Sequence, residues 1–400
     1  MAQQHLDPTH RPTAAVPPPA PQGPGGAPTA DGLAAYLRAQ ATEFLRALRL
    51  HREAGPAAGN GEEAADAARA LRRSARRISG SLHTFRGVLD ETWAEELRPE
   101  LAWLSGTLAR EHACQARLDR LLTALTRLSG PAGPARPAGP AGPADFPTPA
   151  AATAGTGAGA AGTGAAAGPR AGTAARAVNH PPQPAAPDRG SLAVGAAKAG
   201  ALLDRQLTLA RTRAHSTALQ ALGSSRFHAV ADKVAVLASD VPLTPTAHAT
   251  DLRPLAAAAE ERLADAVAAL PLVTAGSPYN AAALVHGLSP DPSPHPQDAP
   301  WHQVRLLLRL HRYAQEALLG APGTTRAPAD ARLPEAGRAL DRHRDASEAA
   351  AAASSAARTP RIAPATAYAL GVLHADQRHE VEAARFAFQQ CWLRQTVAAG

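Results

Sequence analysis

Leu33, Leu37, Phe44 and Leu48 recur at helical spacing with Arg38, Arg46 and Arg49 between them, a pattern that predicts an amphipathic helix opening at Thr29 or Asp31. A Gly-rich break over 54–61 closes it. A second helix is predicted from about Glu62 to Leu89, where Ala64, Ala68, Leu71, Ala75, Ile78, Leu82, Phe85 and Leu89 form one unbroken core stripe. In a third, Thr92 to Leu128, Leu97, Leu101, Leu104, Leu108, Leu118, Leu121, Leu125 and Leu128 keep the same rhythm. A break is expected near Gly106, and Pro99 is tolerable near the helix start. The same periodicity predicts helices over Leu202–Leu222, Phe227–Leu237, Leu252–Leu270, Trp301–Leu319, Leu333–Ala357 and Ala363–Leu393. No alternating strand pattern competes, so the fold class is all-α.

Two stretches carry no such pattern. Residues 1–30 include prolines at 17, 18 and 19 and read as a disordered arm, and residues 129–195 are a nearly uncharged run of Gly, Ala and Pro that reads as a flexible tether. They leave two helical halves, 31–128 and 196–396. The N-terminal arm lacks the apolar run of a signal peptide, and no apolar stretch is long enough to span a bilayer, so a soluble cytoplasmic protein is expected. Cys114 and Cys391 lie far apart and make neither a disulfide framework nor a metal site, which fits a reducing compartment.

Charge sharpens this picture. Lys+Arg number 41 against 34 Asp+Glu, a formal net charge of +7, and only Lys198 and Lys233 are lysines. Arginine binds phosphate through a planar fork of donors, although an Ala-, Gly- and Pro-rich chain also favours arginine through genome composition alone. The arrangement is more informative. His302, Arg305, Arg309 and Arg312 stand at offsets 0, 3, 7 and 10, one file along a helix beside the apolar file of Trp301, Val304 and Leu308. In the first half Arg69, Arg72, Arg76 and Ser79 repeat those offsets beside Ala68, Leu71, Ala75 and Ile78. Each file spans roughly 15 Å at the edge of the core stripe, where a groove between helices would form. Like charges three and four apart repel, and an extended chain of phosphates would offset that repulsion at each turn. Spacing alone supports a phosphate groove and a solvated charged face about equally.

The stretch His302-x-x-Arg305-x-x-x-Arg309-x-x-Arg312-Tyr313-x-x-Glu316 resembles the second signature helix of the CHAD family, helical domains named for their histidines. Arg72-x-x-x-Arg76-Arg77-Ile78 followed by Leu82-x-Thr84-Phe85 is similar to the first signature helix. Glu100-Leu101-x-Trp103-Leu104, Leu108-Ala109-Arg110-Glu111, Ser225-Arg226-Phe227, Leu340 to Asp345 and Tyr368-Ala-Leu-Gly371 then fall in family order. The resemblance implies two pseudo-repeated antiparallel helical bundles enclosing a basic channel that binds inorganic polyphosphate, often at polyphosphate granules. It implies phosphate contacts from Arg72, Arg76 and Arg77 and from His302, Arg305, Arg309 and Arg312, with Arg69, Arg110 and Arg226 joining them, while Tyr313 and Glu316 position their neighbours. Arg69 stands where the family has its first histidine and Ser79 where it has a further arginine, so the first half is expected to bind more weakly.

Marks of phosphate enzymes are missing from the sequence. Neither lysine follows a glycine or ends a Glu-x-Glu-x-Lys motif, and no carboxylate cluster is spaced for Mg²⁺. The expectation is therefore a non-catalytic protein without metal or cofactor. The files also lack the aromatics that single-strand binders interleave for base stacking, which disfavours nucleic acid as the partner. Five-apart His374 and His379 read as surface residues, and Trp93, Trp103, Trp301 and Trp392 as core or interface anchors. For His343, Arg344 and Asp345, a channel role by family position and a helix-end salt bridge both stand.

Overall fold

In the computed structural model, residues 29–54, 61–130, 189–277, 288, 295–319, 330 and 332–393 are described. The expected N-terminal arm and most of the tether lie outside them. The chain runs through α1 (Ala30–Glu53), α2 (Gly61–Thr84), α3 (Glu91–Ser129), α4 (Arg189–Leu222), α5 (Ser225–Ser239), α6 (Arg253–Ala268), the single turn α7 (Leu272–Ala275), α8 (Ala299–Leu319), α9 (Arg332–Ala357) and α10 (Pro364–Leu393). Among the described residues the only β contact is an isolated bridge between Leu89 and Leu243, so the all-α expectation holds.

Helix boundaries follow local chemistry. Asp90 caps α3 by accepting from the Trp93 amide at 2.8 Å, and Ser224 caps α5 by accepting from the Phe227 amide at 3.2 Å. Three predicted boundaries shift. The second helix stops at Thr84, and a 3₁₀ turn over Arg86–Val88 carries the chain to Leu89, pinned where the Thr244 amide donates to the Val88 carbonyl at 3.1 Å. Phe85 and Leu89 stay buried because this turn keeps them facing the core. The expected break at Gly106 is absent: α3 runs 39 residues without interruption, with Pro99 inside it. A glycine costs about 1 kcal/mol in a helix, and the buried leucines on both sides outweigh that. Finally, residues 189–195, expected in the tether, are already helical.

Three cores hold the helices together. The first joins α1, α2, the start of α3 and α5, closed by Ala314 and Ala317 of α8. In the second, Leu118, Leu121 and Leu125 of α3 pack with α4 and with the Ala349, Ala353 and Ala356 stripe of α9 and Leu370 and Leu373 of α10. The third sets Trp301 and Phe388 among α6, α8, α9 and α10. The cores share α3 and α8, so the two halves are interlocked. At about 1.5 Å per residue, α3 is long enough to leave the first core and enter the second. Helices α2 and α8, which carry the two arginine files, meet at Gly80, where a Cβ would stand 2.6 Å from the Tyr313 ring and 3.4 Å from Leu310. Only a glycine permits that approach.

Candidate functional site

The close crossing of α2 and α8 sets Arg72 and Arg76 of the first file beside Arg305 and Arg309 of the second, and α9 adds Arg344. Each of these groups perturbs others of the set. Burial first, then the charges of Arg344 and Arg309, hold the Arg72 guanidinium below its usual range. Arg76 is pulled down to about 10 by burial and by Arg72, with Arg305 and Arg344 adding to the repulsion. Arg305 and Arg309 are lowered in the same way, mainly by burial, with Arg309 and Arg344 repelling the first and Arg76 the second. Their side chains are only 16% and 23% exposed.

Counter-charge is scarce. Asp341 lies 2.6 Å from Arg305 Nε and 4.0 Å from an Arg309 Nη, and it is itself largely exposed. Arg344 pairs with Asp345 and stands 3.9 Å from Glu348, so that although burial lowers it, these carboxylates leave it raised overall. Among the described residues no carboxylate lies within 4 Å of Arg72 or Arg76, and the buried Arg72 Nε finds no hydrogen-bond partner. Five guanidinium groups therefore share one half-buried trough with too few anions. Such a trough favours an anionic ligand, and its low local dielectric strengthens every contact made there.

The remaining predicted residues go elsewhere. Arg69 pairs with Asp66 one turn earlier. Arg77 does not reach the trough: its Nε donates to Glu316 at 2.6 Å, it sits 5.9 Å from the centre of the Tyr313 ring, and Tyr36 Oη donates to the same carboxylate at 3.4 Å. Burial lowers Arg77, but Glu316 raises it overall, which is the mark of a neutralised strut between α2 and α8. Glu316 and Tyr313 thus hold their neighbours, as the resemblance implies. Arg312 reaches toward α9, its Nη1 3.7 Å from where a Cβ on Gly337 would be. Arg226 forks onto Glu100 at 2.6 and 3.0 Å and lies 4.1 Å over the Trp103 ring, a closed surface contact away from the trough. Arg110 is exposed and lines a separate cavity with Arg344. At the Ser79 position the hydroxyl donates to the Arg98 carbonyl at 3.4 Å, so the missing arginine is replaced by a bond between α2 and α3.

His302 closes the trough at the start of α8. Its ring stands edge-on to His343, with centroids 5.4 Å apart, and burial holds its pKa below the usual imidazole value, against the pull of Asp298. Behind it lies a second set of charges. Asp298 accepts from Ser347, from Arg378 at 2.8 and 3.3 Å and from Arg385 at 2.6 Å, while Arg385 also donates to Glu382 at 2.7 Å. Arg385 Nε reaches His343 Nε2 at 3.3 Å, and the His343 ring stacks on Trp301. Sequence reasoning missed this network because only the fold brings Asp298, ahead of α8, and His343 and Ser347 of α9 to Arg378, Glu382 and Arg385 of α10. Arg344, for which a channel role and a helix-end salt bridge both stood, lies in the middle of α9, where it pairs with Asp345 and its charge acts on Arg72, Arg76, Arg305 and Arg309. His374, read as a surface residue, is instead half-buried against the Ala350 carbonyl, 3.0 Å from its Nδ1.

Among the described residues no group of three or more His, Cys, Asp or Glu side chains is arranged to hold a metal, and no helix is long and apolar enough to cross a membrane.

Comparison with known proteins agrees with the motif reading. The family model described as the CHAD domain matches residues 39–354. Among solved structures, PptA from Streptomyces chartreusis is similar at 61% identity and a TM-score of 0.67, over 92% of this chain and 100% of that one. No curated protein matches the chain. With signature motifs on α2 and α8 and the family model matching residues 39–354, the chain belongs to the CHAD-domain family.

Proposed function

We propose that this protein binds inorganic polyphosphate without transforming it, holding the chain on Arg72, Arg76, Arg305, Arg309 and Arg344, with His302 at one end of the trough. One observation carries the reading: these arginines are drawn together by the glycine crossing of α2 and α8 and by α9, half-buried, and left with fewer carboxylates than guanidinium groups. Burying like charges without partners costs free energy, and a linear polyanion offsets that cost at several turns at once. Each guanidinium presents parallel donors to a different phosphate. Membership of the CHAD family supports the same ligand, and association with polyphosphate granules would follow from such binding.

A generic polyanion site is the competing reading, and the aromatic content weighs against it. Tyr313 stands beside the second file, with Arg77 5.9 Å from its ring centre and its Cδ2 edge against Gly80. The two files carry no run of aromatic side chains for base stacking, the feature on which sequence-tolerant single-strand binding depends. Titration with polyphosphate and with single- and double-stranded DNA across a salt series tests the proposal. Polyphosphate is expected to remain bound at salt concentrations where DNA has been lost. Equal affinities that decline together with salt would reduce the trough to a general basic surface.

A further inference from the structure

Three carboxylates meet arginines beside the trough, and they are held in different ways. Asp298 is fully buried and accepts from Arg378 and Arg385. Glu316 is 30% exposed and accepts from both Arg77 and Tyr36. Asp341 of α9 is 54% exposed, and a single oxygen makes both of its contacts, 2.6 Å from Arg305 Nε and 4.0 Å from an Arg309 Nη. The first two tie helices together, whereas the third lies nearer solvent than the guanidinium groups it touches. Its place follows from the face that α9 turns to α8. Gly337, Asp341, Arg344 and Glu348 stand at offsets 0, 4, 7 and 11, one file along the helix. At Gly337 a Cβ would come within 3.6 Å of Leu308 and 3.7 Å of Arg312, so this is the face laid against α8.

What Asp341 occupies is a donor edge that an oxyanion would use. A guanidinium binds phosphate through parallel donors along one side, and Nε belongs to such a side. On Arg305 that donor is taken by Asp341, whereas on α2 the buried Arg72 Nε has no partner. Burial lowers both Arg305 and Arg309, and Asp341 is the carboxylate whose charge opposes that lowering; it acts on Arg344 as well. The contact is nonetheless a weak restraint. A carboxylate already half in water loses little solvation by turning outward, and exposed ion pairs add little to stability. An anion that brings several charges to adjacent arginines at once is better placed on the same donors.

We propose that Asp341 is an internal competitor of the ligand: its carboxylate takes the place of a phosphate on Arg305 and Arg309 until a polyanion displaces it. The inference rests on the polyphosphate reading and adds to that site an autoinhibitory contact, one that weakens binding and also makes it less sensitive to salt, because a tethered carboxylate leaves in place of anions from solution. Asp341→Asn tests it in the full chain, with long-chain polyphosphate as the probe across a salt series. The amide keeps the size of the side chain and still accepts from Arg305, and circular dichroism verifies folding. Affinity is expected to rise roughly three- to tenfold at low salt. The salt slope should steepen by up to about one, since anions from solution then occupy the freed donors. Asp341→Glu restores the charge one methylene further out and should bring both values back toward those of the unmodified protein. Glu335→Gln is the charge-matched control, an exposed carboxylate of the same helix that stands 4.0 Å from Arg338; its gain should stay below about twofold. If Asp341→Asn does not fold, Asp341→Ala, which favours the helix, carries the same expectations. Unchanged or weaker binding in a folded variant would overturn the proposal and make Asp341 a residue that aims Arg305 at the ligand. An equal gain in Glu335→Gln or in Asp341→Glu would overturn it too, the first because net charge would account for the effect and the second because the carboxylate would not. Failure of the unmodified protein to bind polyphosphate would instead overturn the reading on which this one rests.

Discussion

Two groups of arginines lie within this molecule, one on each side of His302, and they have opposite electrostatics. Arg378 and Arg385 have side chains only 3% and 6% exposed, yet each meets Asp298, and Arg385 meets Glu382 as well. Arg72, Arg76, Arg305, Arg309 and Arg344 are less deeply buried and share mainly Asp341, Asp345 and Glu348, all of them at the outer edge. The first set is a closed knot that ties the turn before α8 to α9 and α10. The second is an unfinished one, and the missing anions mark the site. Arginine content alone does not distinguish the two; the balance of partners does.

The largest expected effect tests the closed knot. Asp298→Asn keeps the size of the side chain but leaves two buried guanidinium groups sharing Glu382. Removing one partner from such a buried set typically costs about 3–5 kcal/mol, so denaturant unfolding should show a loss of that order. A loss below about 1 kcal/mol would mean that water reaches the knot and that it is no more closed than the trough.

The same knot sets a pH dependence. Burial lowers His343 from 6.5 to about 4, with the Asp298 hydrogen bond opposing that shift only in part. Between those values the unfolded chain takes up a proton that the folded state refuses, so the unfolded state binds more protons and stability falls as pH drops through this window. The contribution is fully present above about pH 6.5 and amounts to at most roughly 3 kcal/mol. His302, also lowered mainly by burial, changes stability in the same direction. His343→Gln should flatten the unfolding free energy across this window. An unchanged pH profile in that variant would show that another group is responsible.

In the trough the sign of a substitution should reverse. Arg305→Ala with Arg309→Ala is expected to weaken polyphosphate binding about a hundredfold, a loss of roughly 2.7 kcal/mol. It should not lower the melting temperature, because two repelling charges leave and alanine favours the helix. A folded double variant with unchanged affinity would remove the second file from the site. A large fall in stability would show that Asp341 closes the trough more fully than the distances suggest.

Much of this was legible in the sequence. The leucine stripe of α3 and the stripe of Leu71, Ala75, Ile78 and Leu82 on α2 mark the buried faces because a 3.6-residue period leaves little alternative once several positions agree, although at the start of α2 it is Ala67 that is buried, not the expected Ala64 and Ala68. The two arginine files are legible for the same reason, being local patterns on single helices. What the sequence does not show is what each arginine meets across a helix contact. Arg77 and Arg76 are adjacent, yet one points at Glu316 on a helix far along the chain and the other into the trough. Arg226 finds Glu100 by tertiary packing alone. The Gly106 break failed for a related reason, since local propensity is a weak cost against two cores that share one helix.

The smallest expected effect concerns the strut between the two files. Glu316→Gln keeps an acceptor for Arg77 and Tyr36 but removes the negative charge that answers Arg77. Because both side chains are 30% exposed, the loss of stability should be at most about 1 kcal/mol. The released positive charge borders the trough, so polyphosphate affinity is expected to rise by a small factor, roughly threefold or less, and more at low salt than at high salt. Isothermal titration at two salt concentrations measures this. If the variant instead binds several times more weakly, Arg77 is a phosphate donor that needs Glu316 to aim it, and the family's assignment of that arginine stands. A rise would confirm that α2 uses its two adjacent arginines differently, Arg76 for the ligand and Arg77 for the helix that carries the other file.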